Sequence, residues 1–245
     1  MVDNQKKPHY LFINCKNYTF STEKDNNITE IYCRELRNNQ IDQLIALFPH
    51  LQNLTISTSD EINDQNLTEL LNKISLNKLT LHNCPFIRFT FLDPESLKNI
   101  THLCINRCHN VKDAGLKIIP YLENLYQLDV IDCDKINGSG LHGINNLHFL
   151  TKISIQWCKN ISHDFFKALE GCESLLELEI TGAPTINNDD FRILNTLAQL
   201  ETLTLRNCKN LTNDILPQLS TLSLYVEQCQ NINLKEYNNQ NIFTK

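Results

Sequence analysis

The feature that most constrains this sequence is a repeat of about 25 residues. The stretch from Leu200 to Leu211 reads Leu-x-x-Leu-x-Leu-x-x-Cys-x-x-Leu, with apolar residues and one cysteine at fixed intervals. Seven successive copies of the pattern begin at Leu51, Leu76, Ile100, Leu125, Leu150, Leu175 and Leu200. The steps between these starts are 25, 24, 25, 25, 25 and 25 residues. Positions that stay in phase over this distance indicate one structural unit that is copied and stacked.

Each unit is predicted to contain a short strand, a turn and a short helix. The Leu-x-Leu alternation has a period of two, which is typical of a strand with one buried face. Helical spacing follows, as in the segment from Ser162 to Leu169, where Ser162 is a predicted N-cap. Asn63-Asp64 and Asn213-Asp214 precede apolar residues in the same way. A unit of this size cannot bury its apolar face alone, so the units must stack on one another.

Stacking of these units predicts an α/β solenoid of about ten units, wound as a right-handed β-α superhelix. A parallel sheet lines its concave side, and short helices lie on its convex side. We expect residues 1–245 to form one domain without a linker. Residues 51–220 hold the regular units of 24–25 residues, 1–50 hold atypical amino-terminal units, and 221–245 hold a last unit and a cap.

The amino-terminal end fits the pattern in abbreviated form. Tyr10, Phe12, Cys15 and Tyr18 have the spacing of the two buried strand positions, the cysteine and the apolar residue that follows it. This alignment predicts that Tyr10 and Phe12 face the core.

The cysteines indicate a packing role and a reducing compartment. Of the ten in the chain, seven are aligned with one position of the repeat, namely Cys15, Cys84, Cys108, Cys133, Cys158, Cys208 and Cys229. A recurring position favours a small buried side chain, and neighbouring thiols that stay reduced imply a reducing environment. A glycan at Asn53-Leu54-Thr55, on a predicted strand, would block stacking. We therefore expect a cytoplasmic protein.

The fine pattern of the units resembles the cysteine-containing leucine-rich repeats. The most similar segments are Val111 to Leu116 and Ile136 to Leu141, and Cys172 precedes Leu175 where such repeats often hold a second cysteine. These repeats occur in the substrate-receiving halves of F-box proteins and in effectors of intracellular bacteria. The resemblance therefore implies a protein-binding scaffold over nearly the whole chain.

Two roles follow from this resemblance. One is an effector that captures a host protein, which would place the chain in the host cytoplasm. The other is a substrate-receptor-like subunit of a ubiquitin ligase. Because the repeat begins by about residue 7, we expect no F-box in the chain itself, so another chain would have to supply the docking element.

The partner is predicted to bind on the concave face, where the side chains between the buried strand positions point to solvent. The candidate partner-binding residues lie on this face or at the strand ends, and they are Lys78, His82, His102, Arg107, Asp129, Asp132, Lys152, Gln156, Trp157, Glu177, Glu179 and Arg206. Trp157, the only tryptophan, is either an exposed anchor for a partner or a ring folded against the neighbouring turn.

Catalysis is not expected. His82, His102, Cys104 and Asp129 are the one set that suggests it, as a cysteine nucleophile beside histidine and carboxylate. However, His102 and Cys104 are two residues apart on one predicted strand, so their Cα atoms lie about 6.5 Å apart on an open surface. No predicted turn or helix beside them forms an oxyanion hole. We therefore predict no catalytic residues.

Other ligand classes also find no support in the sequence. Neither Cys-x-x-Cys nor His-Glu-x-x-His occurs, and the six glycines form no phosphate-binding loop, so we expect no metal and no cofactor. The net charge of −6 gives no general attraction for nucleic acid or an anionic membrane. No apolar run approaches the roughly 18 residues that a membrane span requires. We expect a monomer whose partner is another protein.

Overall fold

The protein is a solenoid built on one parallel sheet. The computed structural model describes residues 10–16, 24–90, 92–219, 222–233 and 242–244. Each strand pairs with the next one in chain order. The eleven strands are β1 (Tyr10–Asn14), β2 (Glu30–Arg34), β3 (Asn53–Ser57), β4 (Lys78–His82), β5 (His102–Asn106), β6 (Gln127–Ile131), β7 (Lys152–Gln156), β8 (Glu177–Thr181), β9 (Thr202–Arg206), β10 (Ser223–Glu227) and β11 (Ile242–Thr244). The predicted fold class, an α/β solenoid of about ten units, is confirmed.

The segments between the strands form short helices. The α-helices are α1 (Ile41–Leu47), α2 (Asp64–Lys73), α3 (Asp113–Leu116) and α4 (His163–Ala168). The 3₁₀-helices are Asn38–Gln40, Pro94–Leu97, Ile119–Tyr121, Ser139–Leu141, Ile144–Asn146, Asn188–Thr196 and Asn213–Leu219. The N-caps predicted at Asn63 and Ser162 are confirmed, because the Asn63 side chain accepts a hydrogen bond from the Asn66 amide at 3.1 Å and the Ser162 hydroxyl accepts one from the Asp164 amide at 3.3 Å. At the third predicted helix start the capping contact lies one residue earlier, since the Asp214 amide donates to the Thr212 hydroxyl at 3.4 Å.

Strand side chains alternate between the core and an open face, which we define as the face of the sheet that points away from the core. Leu128, Leu178 and Leu203 are at most 1% exposed, whereas Lys78 on the open face is exposed. Leu178 and Leu203 are partners in register on neighbouring strands. Each unit therefore covers the buried leucines of the next, and the predicted register of these strands is confirmed.

The predicted register of β1 is wrong by one residue. Tyr10 and Phe12 were expected in the core, but they are 66% and 60% exposed. Leu11 and Ile13 occupy the inward positions instead, and Ile13 is 1% exposed. A shift of one residue moves every side chain of a strand to the other face. Tyr18, the last member of the predicted pattern, lies outside the described residues.

The physical reason for this shift is visible on both faces of β1. The aliphatic Ile13 pairs in register with Cys33 and closes the end of the core. On the open face, the Phe12 ring stacks on Tyr32 with ring centroids 4.9 Å apart. An aromatic ring on the open face can therefore pack against another ring there. A pattern that treats all apolar residues alike wrongly assigns such residues to the core.

Six of the seven aligned cysteines have the predicted structural role, namely Cys84, Cys108, Cys133, Cys158, Cys208 and Cys229. The Cys108 thiol donates to the carbonyl oxygens of Leu81 at 3.6 Å and Asn106 at 3.5 Å, and Cys133 and Cys158 make equivalent contacts. All ten cysteines are free, and all except Cys104 are buried. The thiol at this position thus joins one unit to the preceding strand.

Carboxylates on the helical side also join neighbouring units. Asp64, at the start of α2 and only 5% exposed, accepts hydrogen bonds from the amides of Arg88 at 2.8 Å, Phe89 at 3.0 Å and Thr90 at 3.0 Å. Asp113, at the start of α3, binds amides of the following unit in the same manner. Amides that would otherwise be buried without acceptors are satisfied in this way, which holds consecutive units in one relative position.

Candidate binding surface

Strand pairing arranges the candidate residues in rows across the open face. Within each row, residues of neighbouring strands are partners in register. The first row contains Lys78, His102, Lys152 and Glu177, the second contains Asp129 and Glu179, the third contains His82, Gln156 and Arg206, and the carboxyl ends of the strands hold Arg107, Asp132 and Trp157. Register partners on neighbouring strands are about 4.8 Å apart. The structure thus brings the twelve residues onto one continuous surface.

Ion pairs link the charged members of this surface. Lys152 Nζ lies 2.7 Å from a carboxylate oxygen of Glu177. Arg206 contacts Glu179 and also Glu227, with its Nε 3.1 Å from the Glu227 carboxylate. Because these groups are partly exposed, each pair adds little to folding stability, but the pairs hold the side chains in place. Glu227 was missed by sequence reasoning, since it lies on the irregular last unit.

Asp129 lies near the centre of the open face and is poorly solvated. Its carboxylate accepts hydrogen bonds from the Gln127 side chain at 2.9 and 3.1 Å. Burial raises the pKa of Asp129, and the charge of Glu179 adds to this, while the hydrogen bond from Gln127 and the charge of Lys152 partly oppose it. A carboxyl group with a raised pKa is less stable in its charged form than it is in the unfolded chain.

We expect Asp129→Asn to stabilise the fold at neutral pH. A raised pKa in the folded state contributes stability only at low pH, and this contribution is lost as the pH rises through the folded-state pKa. The asparagine removes the penalty, so the urea midpoint at pH 7 should rise above that of the wild type. The difference should shrink as the pH falls to the acid range of Asp129. Asp134→Asn is the matched control, because its hydrogen bond with Lys159 lowers the pKa of Asp134 and this variant should gain nothing.

At the carboxyl ends of the strands, the chain turns through the left-handed region. The residue before the recurring cysteine position has a φ of 50–62° in nine units, at Glu35, Thr58, Asn83, Arg107, Asp132, Trp157, Gly182, Asn207 and Gln228. Its amide extends the sheet ladder, as in Trp157, whose N–H donates to the Thr181 carbonyl at 2.7 Å. For residues other than glycine this conformation costs roughly 1–2 kcal/mol. The side chains of Arg107, Asp132 and Trp157 are therefore held on equivalent, fixed turns.

An open depression of about 690 Å³ lies beside these turns. It is lined by His82, Asn106, Arg107, Ile131, Asp132, Gln156, Trp157 and Lys159. Arg107 Nε is 3.1 Å from the Asp132 carboxylate, so the lining of the depression includes an ion pair as well as the tryptophan. Five of the twelve predicted residues thus meet at one concave place.

The Trp157 ring rests on the neighbouring turn and is still 44% exposed. A Cβ placed on Gly182 would lie 2.2 Å from the ring atom Cε3 of Trp157. The absence of a side chain at Gly182 therefore lets the ring pack against this turn, as in the second of the two interpretations of Trp157. The outer face of the ring is still accessible to a partner. Gly182 was not identified from the sequence, although a glycine one repeat after the only tryptophan was a usable signal.

Gly182→Ala is expected to displace the Trp157 ring, because the new methyl group would occupy its place. The emission of the single tryptophan should move to longer wavelength, and its quenching by acrylamide should increase. Asn207→Ala is the matched control, since Asn207 occupies the same left-handed turn one unit later. Equal emission spectra for Gly182→Ala and the wild type would contradict the contact between ring and glycine.

The residues considered for catalysis do not form an activated site. Burial, followed by the charge of Asp129, raises the pKa of the Cys104 thiol to about 12, so the thiol is protonated at neutral pH. Burial also lowers the pKa of His82 and of His102. The His102 Nδ1 atom lies 2.8 Å from the Thr101 hydroxyl. The arrangement therefore favours polar recognition over nucleophilic chemistry.

Two exposed aromatic residues were missed by sequence reasoning. Tyr126 and Phe149 precede β6 and β7 and are 46% and 62% exposed. The Tyr126 ring lies 5.6 Å from that of His102, and all three residues line a second open depression of about 590 Å³. They were overlooked because they stand before the strands, outside the rows. A usable signal was that the flanking units hold threonine, asparagine or serine at these positions.

In the described part of the chain, no group of three or more histidine, cysteine, aspartate or glutamate side chains is arranged to hold a metal ion. Among the same residues, no helix has the length and apolar character needed to cross a membrane.

Known proteins similar to this chain were found among solved structures. No protein-family model matches the chain, and no curated protein does. An internalin (inlF) of Listeria monocytogenes superposes with a TM-score of 0.57 and 18% identity, over 89% of this chain and 67% of the internalin. This internalin and the other similar structures are leucine-rich-repeat proteins. The chain has the leucine-rich-repeat fold.

Two other leucine-rich-repeat structures are similar in the same way. In the complex of Toll with Spatzle from Drosophila, the matched chain has a TM-score of 0.62 and 16% identity, over 96% of this chain and 34% of the other. In the complex of Rad7 and Elc1 from yeast, the values are 0.50 and 15%, over 90% and 74%. The present protein therefore covers only about a third of the matched chain in the Toll–Spatzle complex. Identities this low show the shared fold alone.

Proposed function

We propose that this leucine-rich-repeat protein is a non-enzymatic module that binds another protein through its open face, the predicted concave side. The observation that supports this most directly is the depression beside Trp157, where a partly exposed ring and the Arg107–Asp132 ion pair are held on rigid turns. Exposed tryptophan and arginine side chains contribute most of the binding energy in many protein interfaces. The twelve candidate residues are proposed as its contact set.

The chemistry of the surface favours a protein over other ligands. Lysine and arginine lie beside aspartate and glutamate on this surface, and the chain carries a net charge of −6, which is unfavourable for the phosphate backbone of nucleic acid or an anionic membrane. The similar Toll and Rad7 chains occur in complexes with other proteins. We further propose that residues 1–245 form one domain and that the protein is a monomer. We also propose that it acts in the cytoplasm, because its ten thiols are free.

A binding module of this kind fits two cellular roles. In the first, it is a bacterial effector that captures a host protein in the host cytoplasm. In the second, it is a substrate-receptor-like subunit of a ubiquitin ligase that docks through another chain. The fold shared with Rad7 in its complex with Elc1 is the observation that favours keeping the second.

Affinity capture from eukaryotic cytosol tests the proposal. The tagged wild type is compared with Trp157→Ala, Arg107→Ala and Glu179→Ala, and with Glu95→Ala as a control on the helical side. We expect the open-face variants to lose a protein that the wild type and Glu95→Ala retain. Co-purification of ligase core subunits would select the second role. A partner that all variants retain would contradict binding through the open face.

A further inference from the structure

Charge is distributed unevenly along the open face. The outward side chains of β6–β10 include four carboxylates and two cations, namely Asp129, Glu177, Glu179, Glu227, Lys152 and Arg206. The charged outward side chains of β1–β5 are Glu30, Arg34 and Lys78. The formal charge of the face is therefore −2 on the carboxyl-terminal half and +1 on the amino-terminal half, counted from these same residues.

The negative surplus of β6–β10 is not neutralised within the described part of the chain. Arg206 is shared by two carboxylates, those of Glu179 and Glu227, and Lys152 is engaged by another glutamate. Asp129 has no cation within ion-pair distance among the described residues. A carboxylate that is largely removed from water and lacks a cationic partner is unfavourable, and an incoming cation would relieve this.

A second observation points to a ligand at the same place. Thr181 lies on the open face two residues after Glu179 and is only 5% exposed. Its hydroxyl oxygen has no hydrogen-bond partner among the described residues. Its neighbours in register are Gln156 and Arg206. Because buried hydroxyls are nearly always paired, this one is an available acceptor beside the carboxylates.

We infer that the partner presents a basic segment, with two arginine or lysine side chains, to the row of Asp129, Ser154 and Glu179. This inference rests on the proposed function and names the partner chemistry of the same face. The three residues are register partners on β6, β7 and β8. Asp129 and Glu179 are therefore two strand spacings apart, about 10 Å.

The two basic groups would have different roles. The first pairs with Asp129 and supplies the cation that this carboxylate lacks. The second basic group binds Glu179, whose carboxylate already accepts a hydrogen bond from the Ser154 hydroxyl at 3.2 Å. To do so it shares the Glu179 carboxylate with Arg206 or displaces Arg206 from it, and it also reaches the Thr181 hydroxyl. An acidic segment or a phosphate would instead meet both carboxylates, and repulsion excludes it from this row.

Calorimetric titration of the full chain with designed peptides tests this inference. One capped helical peptide carries arginine at positions i and i+7, which are about 10.5 Å apart. The second is identical but carries citrulline, the uncharged isostere, at both positions. At low ionic strength the arginine peptide should bind about tenfold more tightly than the citrulline peptide. This advantage should decrease as salt is added.

Matched variants locate the effect. Asp129→Asn and Glu179→Gln should each lower the affinity for the arginine peptide about tenfold. Glu95→Gln changes the net charge equally but lies on the helical side, and it should leave the affinity within about twofold. Equal affinities for the two peptides, or an equal loss in Glu95→Gln, would overturn the inference. If this occurs while Trp157→Ala still abolishes capture of the cellular partner, the proposed function survives and only the basic segment is rejected.

Discussion

Replacing Gly115 with alanine is expected to lower the free energy of unfolding by about 3 kcal/mol. The sign is notable, because the same change inside an exposed helix usually raises stability by about 1 kcal/mol. A Cβ on Gly115 of α3 would lie 2.0 Å from the carbonyl oxygen of Arg88 and 3.2 Å from Cβ of Phe89, both in the preceding unit. The methyl group would therefore force two stacked units apart.

The preceding unit is unable to yield at this point. Asp64 binds the amides of Arg88 and Phe89 at 2.8 and 3.0 Å, which fixes the backbone that the methyl group would strike. The strain must therefore appear as lost packing between the units or as broken hydrogen bonds of Asp64.

Urea unfolding of Gly115→Ala and of Ala114→Gly measures this effect. Ala114 is the exposed neighbour of Gly115 on α3, and its replacement should cost only the propensity difference of about 1 kcal/mol. Both variants are thus destabilised, and Gly115→Ala is the less stable. A Gly115→Ala protein that is more stable than the wild type would show that the units are not in contact there.

Trp157→Ala is expected to weaken binding of the cellular partner by about 2 kcal/mol or more, which corresponds to roughly 30-fold in Kd. The ring is held by Gly182 and by its left-handed turn, so little side-chain freedom is lost when a partner covers its exposed face. Folding stability should change much less, because Trp157 is already 44% exposed.

Binding of the captured partner to Trp157→Ala and to Phe86→Ala, measured by surface plasmon resonance, checks this prediction. Phe86 is 51% exposed and lines a depression with residues of α2, away from the open face. The control should bind like the wild type. Equal losses in the two variants would show that exposed aromatic residues contribute without regard to their position.

The core register of the regular units could be predicted from the sequence because leucine and isoleucine recur in phase at positions with a single environment. Leu128 and Leu203, for example, each lie between aliphatic register partners on the two neighbouring strands, and both are fully buried. The end of the sheet is different. At β1 the outward Phe12 gains a stacking partner in Tyr32, so apolar character alone no longer distinguishes the two faces.

For the candidate surface, the sequence predicted which side chains point outward but not which of them contact one another. Outward positions such as Lys152 and Glu179 follow from the strand period, whereas their ion pairs depend on which residue of a neighbouring strand each side chain reaches. The contact between the Trp157 ring and Gly182 depends on the left-handed backbone conformation of Trp157, which residues as large as tryptophan rarely adopt. Tyr126 was missed because it precedes the strand on which the rows were counted.

Lysine acetylation of the free protein and of its complex, read by mass spectrometry, tests most directly whether a partner covers the open face. Lys78 and Lys152 lie on that face, whereas Lys98, Lys117 and Lys167 are exposed on the helical side. We expect the partner to protect Lys78 and Lys152 and to leave the other three unchanged. Protection of Lys98, Lys117 and Lys167 with unchanged labelling of the first two would contradict the account.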